Sequence, residues 1–68
     1  MFRLNATLIR ELLMKRGLSI TGFAKAASLN AFTAKKVVRD GATVTLRTLG
    51  ALARFFCVDG EDLIIKDS

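Results

Sequence analysis

Side chains that support catalysis or metal binding are few in this 68-residue sequence, and they are not grouped. Histidine is absent, so the sequence offers no imidazole base and no histidine metal ligand. The single cysteine, Cys57, lies between apolar Phe56 and Val58 without a neighbouring base, which predicts a partly buried thiol. The five glycines are scattered and form no phosphate-binding loop. We therefore expect no enzymatic activity, no cofactor and no metal site.

Charge is distributed unevenly along the chain. Residues 1–58 contain ten Lys or Arg and two acids, a net charge of +8, whereas residues 59–68 contain one Lys and four acids, a net charge of −3. A basic body favours a polyanionic partner, and the acidic segment is then expected to point away from that partner. An ordinary solvated surface is the alternative explanation of these charges.

Residues 19–41 predict two short helices joined by a tight turn. Ser19 is a candidate N-cap of the first helix, because its hydroxyl can accept a hydrogen bond from an N–H one turn inside. The apolar residues of this helix recur at helical spacing, at Phe23, Ala24 and Ala27. Asn30 is a candidate N-cap of a second helix over about residues 31–39, and Gly41 can close that helix in a left-handed conformation. This order of elements is a helix-turn-helix.

Three further helices are predicted around the motif. The first has Asn5 or Thr7 as its N-cap and ends near Arg16, with Gly17 as a left-handed stop. Its apolar stripe consists of Leu4, Leu8, Ile9, Leu12 and Leu13. Residues 42–45 predict a loop rather than a strand.

The fourth helix follows Thr45 as its N-cap, and a short fifth helix begins after Asp59. The apolar positions of these two helices are Leu46, Leu49, Leu52, Ala53 and Phe56, followed by Leu63, Ile64 and Ile65. The predicted fold is all-α: a compact five-helix bundle forming a single domain over residues 1–68.

Size and composition indicate the oligomeric state and cellular location to expect for the protein. So short a chain has a marginal surface-to-volume ratio, which makes a homodimer a reasonable expectation. No apolar run approaches the roughly 20 residues needed to span a bilayer, and charged residues interrupt any signal-peptide core near the N-terminus. With one cysteine, we expect a soluble cytoplasmic protein that does not contact membranes.

The sequence resembles the Cro/cI-like (Xre-type) helix-turn-helix domains of phage repressors and bacterial regulators. The resemblance extends from about Leu8 to Ile64 and rests on three stretches in this order: RGLSITGFAKAASLN, TAKKVVRDG and VTLRTLGALARFFCVDGEDLI. It implies a fold of the lambda-repressor type, with the helix-turn-helix formed by the second and third helices.

The resemblance also implies a set of binding residues, because in this family the second helix of the motif lies in the major groove of DNA. By position, the implied backbone-facing residues are Asn30, Thr33 and Lys35, and the implied base-facing residues are Ala31, Phe32 and Lys36. Thr45 and Arg47 resemble positions that reach a phosphate, while Arg39 and Lys25 add long-range attraction. A lysine can donate to guanine O6 and N7, and an Ala or Phe side chain can contact a thymine methyl group.

The chain departs from the family pattern at several positions. Ser28 and Cys57 stand where glycine is usual, at the turn of the motif and near the end of the fourth helix. Ala31 and Phe32 offer a methyl group and an aromatic ring where base readers are typically Arg, Lys, Gln or Asn. Phe32 either stays exposed or folds back into the core. The same two positions are open to Phe55, which would form part of a dimer patch if it stays exposed.

Two functions fit these features. The first is a transcription regulator of a phage-type genetic switch, in which two copies bind operator DNA with recognition helices about 34 Å apart. The second is suggested by modulators of repression, short phage proteins of this family that act with a repressor. In this role the same surface would bind a phage repressor and block its access to DNA. If the protein is phage-encoded, either function places it in the host cytoplasm.

Overall fold

The computed structural model describes residues 1–65, which form four α-helices, one 3₁₀ helix and a two-stranded antiparallel sheet. The elements follow one another as β1 (Phe2–Arg3), α1 (Ala6–Arg16), α2 (Ile20–Ala26), α3 (Ala31–Val37), β2 (Thr43–Val44), α4 (Leu46–Phe56) and the 3₁₀ helix (Gly60–Leu63). Part of the acidic segment, residues 66–68, lies outside the described residues, so its predicted orientation remains a prediction.

Each α-helix begins at a predicted N-cap. In all four, the side-chain oxygen of the cap accepts a hydrogen bond from the backbone N–H three residues later, which satisfies one of the free donors of the first turn. The caps and their distances are Asn5 (3.2 Å), Ser19 (3.0 Å), Asn30 (2.7 Å) and Thr45 (3.3 Å). Thr7, the alternative cap of α1, lies inside that helix, and Gly17 ends it with φ 65°, as predicted.

The prediction of a loop over residues 42–45 is wrong, because Thr43–Val44 forms β2. This strand pairs antiparallel with β1 in the register Phe2↔Val44 and Arg3↔Thr43. The N–H of Leu4 extends the pairing by donating to the carbonyl of Ala42 at 2.9 Å. The two strands are some 40 residues apart in sequence, so the pairing leaves no local signal.

The predicted fifth α-helix is also incorrect: Gly60–Leu63 is a single 3₁₀ turn, and Asp59 before it makes no side-chain capping bond. After this turn the chain extends alongside β1, where Ile64 forms a bridge with Leu4. The Ile65 N–H donates to the Arg3 carbonyl at 2.8 Å. These non-local backbone bonds replace those of a longer helix. The all-α five-helix bundle is therefore corrected to a mostly helical fold with a small sheet.

The core draws apolar side chains from every element except β1. Its buried members are Leu4, Ile9, Leu13, Phe23, Ala24, Ala34, Val37, Val44, Leu49, Leu52, Phe56 and Leu63. Leu4 belongs to this core but precedes α1, contrary to the predicted helical stripe. Phe55 is half-buried against Phe23 and Phe56, with ring centroids 5.6 and 5.0 Å away, and the guanidinium of Arg16 lies 5.1 Å from its ring centroid.

Two residues of the fourth-helix region are more exposed than predicted. Leu46 is 69% exposed, because it lies roughly 90° around α4 from the centre of the stripe formed by Leu49, Leu52 and Phe56. Cys57 was predicted to be partly buried, but its thiol is exposed. Cys57 is the C-cap of α4 and adopts a left-handed conformation, φ 58°, as the chain leaves the helix.

Candidate nucleic-acid interface

The turn between α2 and α3 sets the direction in which α3 leaves α2. Phe23 and Ala24 anchor α2 in the core. Ser28 then reverses the chain in a left-handed conformation, φ 57°, and the N–H of Leu29 donates to the carbonyl of Ala24 at 2.8 Å. Because α2 is anchored in the core and the turn is hydrogen-bonded back to it, the position of Asn30 at the start of α3 is fixed.

Burial fixes the rotation of α3 about its axis. Ala34 and Val37 are both fully buried against the core. Successive residues of an α-helix are rotated by about 100°, so the side opposite these two residues carries Phe32, with Lys35 and Lys36 one turn further on. We call Phe32, Lys35 and Lys36 the α3 face. Phe32 is 77% exposed, Lys35 is exposed and Lys36 is half-buried.

The structure therefore resolves the choice left open for Phe32: its ring faces solvent and does not fold back into the core. Ala31, beside it, is exposed as well, whereas Thr33 is half-buried. The side-chain oxygen of Asn30 is engaged by the Thr33 N–H at 2.7 Å. The exposed side chains of the first turn of α3 are thus a methyl group and an aromatic ring.

The second helix of the motif is shorter than predicted. It ends at Val37 with Val38 as its C-cap, so Arg39 lies after the helix rather than in its last turn. Gly41 has the expected left-handed conformation, φ 82°, but it lies three residues beyond the C-cap and shapes the connection to β2. At this end of the helix the carbonyl of Val38 accepts a hydrogen bond from the Arg10 guanidinium at 2.7 Å, which satisfies one of the carbonyls left free by the helix.

Arg10 connects α1 to the segment that follows α3, and no local feature of the sequence singles it out. Its guanidinium bonds the Val38 carbonyl, forms an ion pair with Asp40 at 3.3 Å and bonds the Thr7 hydroxyl at 3.3 Å. These contacts tie α1 to the segment that follows α3. The oppositely charged partners are 30 residues apart, a separation at which many pairings are equally plausible from sequence.

The remaining predicted residues lie on other elements. Thr45 caps α4, and its hydroxyl also lies 3.4 Å from that of Thr48. Arg47 is exposed in the first turn of α4. Lys25 of α2 and Lys35 of α3 line the same groove of about 250 Å³, so the structure brings this pair together beside the α3 face.

The charged side chains of α2, the turn and α3 are all positive. Residues 12–39 contain six Lys or Arg and no acid. Among residues 1–65, the ion pair formed is Arg10–Asp40, which leaves the cations of the α3 face without a carboxylate partner. In the same part of the chain, no helix is long and apolar enough to cross a membrane.

A short helix, a left-handed turn and a second helix with an exposed, basic face define a helix-turn-helix DNA-binding protein. The family model of the Cro/C1-type helix-turn-helix DNA-binding domain matches residues 9–66. The chain belongs to this family, whose members are non-enzymatic DNA-binding transcription regulators. No curated protein and no solved structure matches the chain.

Proposed function

We propose that this protein is a transcription regulator of a phage-type genetic switch that binds operator DNA through the α3 face. The observation that carries the proposal is that buried Ala34 and Val37 turn Phe32, Lys35 and Lys36 outward. A helix face whose lysines form no ion pair with the carboxylates of residues 1–65 suits the negative potential of a DNA groove.

This proposal involves two kinds of contact, to phosphates and to base edges. Lysine and arginine side chains neutralise phosphates and supply most of the affinity, which is independent of sequence. In this role Lys35 follows the backbone beside α3, Thr45 and Arg47 reach a phosphate from the start of α4, and Arg39 and Lys25 add long-range attraction. Ala31, Phe32 and Lys36 meet the base edges. A homodimer would place two α3 helices about 34 Å apart on a two-fold operator.

A salt titration of binding to random duplex DNA tests the proposal. The purified protein should bind with a Kd of about 10⁻⁴–10⁻⁶ M near physiological salt, and log K should fall linearly with log salt. Lys35→Ala, which removes a cation assigned to the phosphate backbone, should lower the magnitude of that slope by about 1. The matched control is Lys15→Ala, which removes the same charge from the exposed end of α1. Equal losses in both variants would mean that the α3 face has no special role.

The exposure of Phe32 supports a second candidate, an antirepressor. A ring that is 77% exposed suits a protein interface, where buried aromatic anchors often dominate binding. In this function the α3 face binds a phage repressor and excludes it from its operator. The natural probe is the repressor encoded nearest to this gene.

The two functions predict opposite rankings of two variants. If DNA is the target, Lys36→Ala weakens binding more than Phe32→Ala does. If a repressor is the target, Phe32→Ala is the more damaging change, and the protein alone scarcely binds duplex DNA even at low salt. Competition between this protein and operator DNA for the labelled repressor distinguishes these outcomes.

A further inference from the structure

The first turn of α3 exposes apolar groups where a major-groove reader normally carries hydrogen-bonding side chains. Phe32 is 77% exposed and Ala31 beside it is exposed. Of their two polar neighbours, Thr33 is half-buried, and the side-chain oxygen of Asn30 accepts from the Thr33 N–H at 2.7 Å. Ala31 and Phe32 themselves cannot form the bidentate hydrogen bonds that distinguish guanine or adenine.

One feature of the major groove is apolar and informative about sequence. Each thymine carries a methyl group on C5, which projects into the groove and is recognised by apolar contact. A 5-methylcytosine carries the same methyl group at the same ring position, so apolar contact alone responds to both. The shared ligand chemistry is a C5-methylated pyrimidine.

Charge indicates that the occupant of this apolar patch is DNA rather than an apolar protein surface. Lys35 and Lys36 follow Phe32 by three and four residues, so they lie one turn along the same face. Residues 12–39 contain no acid that would repel phosphates or pair with these lysines. In the major groove a methyl group lies between two negatively charged phosphate backbones. An aromatic ring flanked by two cations is complementary to this arrangement in both polarity and charge.

We propose that Phe32, assisted by Ala31, makes the protein a reader of pyrimidine C5-methyl groups in the major groove. This inference rests on the proposed DNA-binding function and adds the specificity of its site. Lys35 holds the backbone and sets the register, Lys36 lies beside the ring at the base edges, and the ring senses whether a methyl group is present.

The experiment compares DNA duplexes that differ by single methyl groups. A preferred site is first selected from a random duplex library with the wild-type protein. Each thymine of that site is then replaced by deoxyuridine, which removes the methyl group and keeps the Watson–Crick pairing. At one or two positions we expect a loss of affinity of about threefold to fivefold, the effect of one buried methyl-sized group.

The Phe32→Ala variant shows whether the ring is responsible. This variant should fold, since Phe32 contributes little to the core, and circular dichroism checks that it does. The same thymine-to-deoxyuridine change should alter its affinity by less than about twofold, given the lost contact. The control is Met14→Ala, which removes an 81% exposed apolar side chain from α1 and should keep the full methyl effect.

A second arm separates the two sources of the methyl group. At the sensitive position, a 5-methylcytosine·guanine pair should bind more tightly than an unmethylated cytosine·guanine pair. If only thymine supports binding, another edge of the base pair is being read and the inference is overturned. Equal affinity for thymine and deoxyuridine duplexes at every position also overturns it, while leaving DNA binding intact. Failure to bind any duplex at low salt would instead refute the proposed function itself.

Discussion

Ser28 is held in a backbone conformation that suits glycine, and its replacement should stabilise the protein. With φ 57°, its Cβ approaches the following carbonyl oxygen, which costs a non-glycine residue about 1–2 kcal/mol. Glycine removes that contact but gives the unfolded chain more freedom, which offsets about 0.4–1 kcal/mol. Ser28→Gly should therefore raise the free energy of unfolding by about 0.8 kcal/mol.

Ser28→Gly should remove no stabilising interaction that would offset this gain. Ser28 is exposed, and within residues 1–65 its hydroxyl makes no hydrogen bond. The bonds that define the turn use the backbone, from the Ser28 N–H to the Lys25 carbonyl and from the Leu29 N–H to the Ala24 carbonyl. Both remain available to glycine, so the turn and the start of α3 are preserved.

Cys57 provides an independent repetition of the same test. It has φ 58°, and its exposed thiol makes only a weak contact with the Arg54 carbonyl at 3.8 Å. Cys57→Gly should stabilise the protein by a similar amount, and the two effects should add because the turns share no hydrogen-bond partner. The double variant should melt roughly 10 °C higher, given the usual entropy of unfolding of a domain of this size.

Urea and thermal unfolding followed by circular dichroism at 222 nm measure these changes. Ser28→Ala is the matched control, because it removes the hydroxyl and keeps the left-handed strain, so its stability should be nearly unchanged. Gly17→Ala reverses the experiment: it introduces the strain at φ 65° with open space around the new Cβ and should destabilise the protein. If Ser28→Gly is neutral while Gly17→Ala is destabilising, the assignment of strain to Ser28 is wrong.

Further substitutions test three other parts of the structure: the Arg10 contacts, the cap of α3 and the core. Arg10→Ala should lower the free energy of unfolding by about 1 kcal/mol, because it removes a charged donor from the Val38 carbonyl. Asp40→Asn, which affects only the exposed ion pair, should cost less than about 0.5 kcal/mol; equal costs in urea unfolding would contradict this ranking. Asn30→Ala should cost about 1 kcal/mol through the lost cap, with partial recovery in the serine variant. Phe23→Ala should cost about 3–5 kcal/mol, visible as loss of a cooperative urea transition; a cooperative transition near the wild-type midpoint would contradict its central place in the core.

Features that depend on a few consecutive residues could be predicted from sequence. The caps Asn5, Ser19, Asn30 and Thr45 were identified because a cap and its bonded N–H are three residues apart. The family departure at Ser28 likewise coincides with its left-handed backbone, since glycine is usual where that conformation is needed.

Features that depend on distant pairing could not be predicted. The strand Thr43–Val44 exists because the N-terminal segment pairs with it; residues 42–45 are β-prone, but so short a run does not by itself distinguish a strand from a loop. The apolar run Leu63–Ile65 predicts a helix, whereas Ile64 and Ile65 extend along β1 instead. Arg10 was overlooked for the same reason, since its partners are about 30 residues away.

For the candidate site, sequence predicted which residues share a helix but not which side chains face solvent. From sequence, Phe32 could either face solvent or fold back into the core, and only the packing of Ala34 and Val37 decides between these positions. The end of α3 was placed two residues too late, which moves Arg39 off the helix. The roles of these residues toward DNA remain predictions.

Stability and target preference depend on different residues of α3. Ala34 and Val37 are fully buried and fix the helix in place, whereas Phe32 and Lys35 contact little of the protein. A substitution at Phe32 can therefore change what the helix binds at almost no cost to folding, since exposed positions usually shift stability by less than about 0.5 kcal/mol. The first pair holds the second helix of the motif against the core, and we expect the second pair to influence which target is bound. For this reason the comparison of Phe32→Ala with Lys36→Ala is more informative about function than any change in the core.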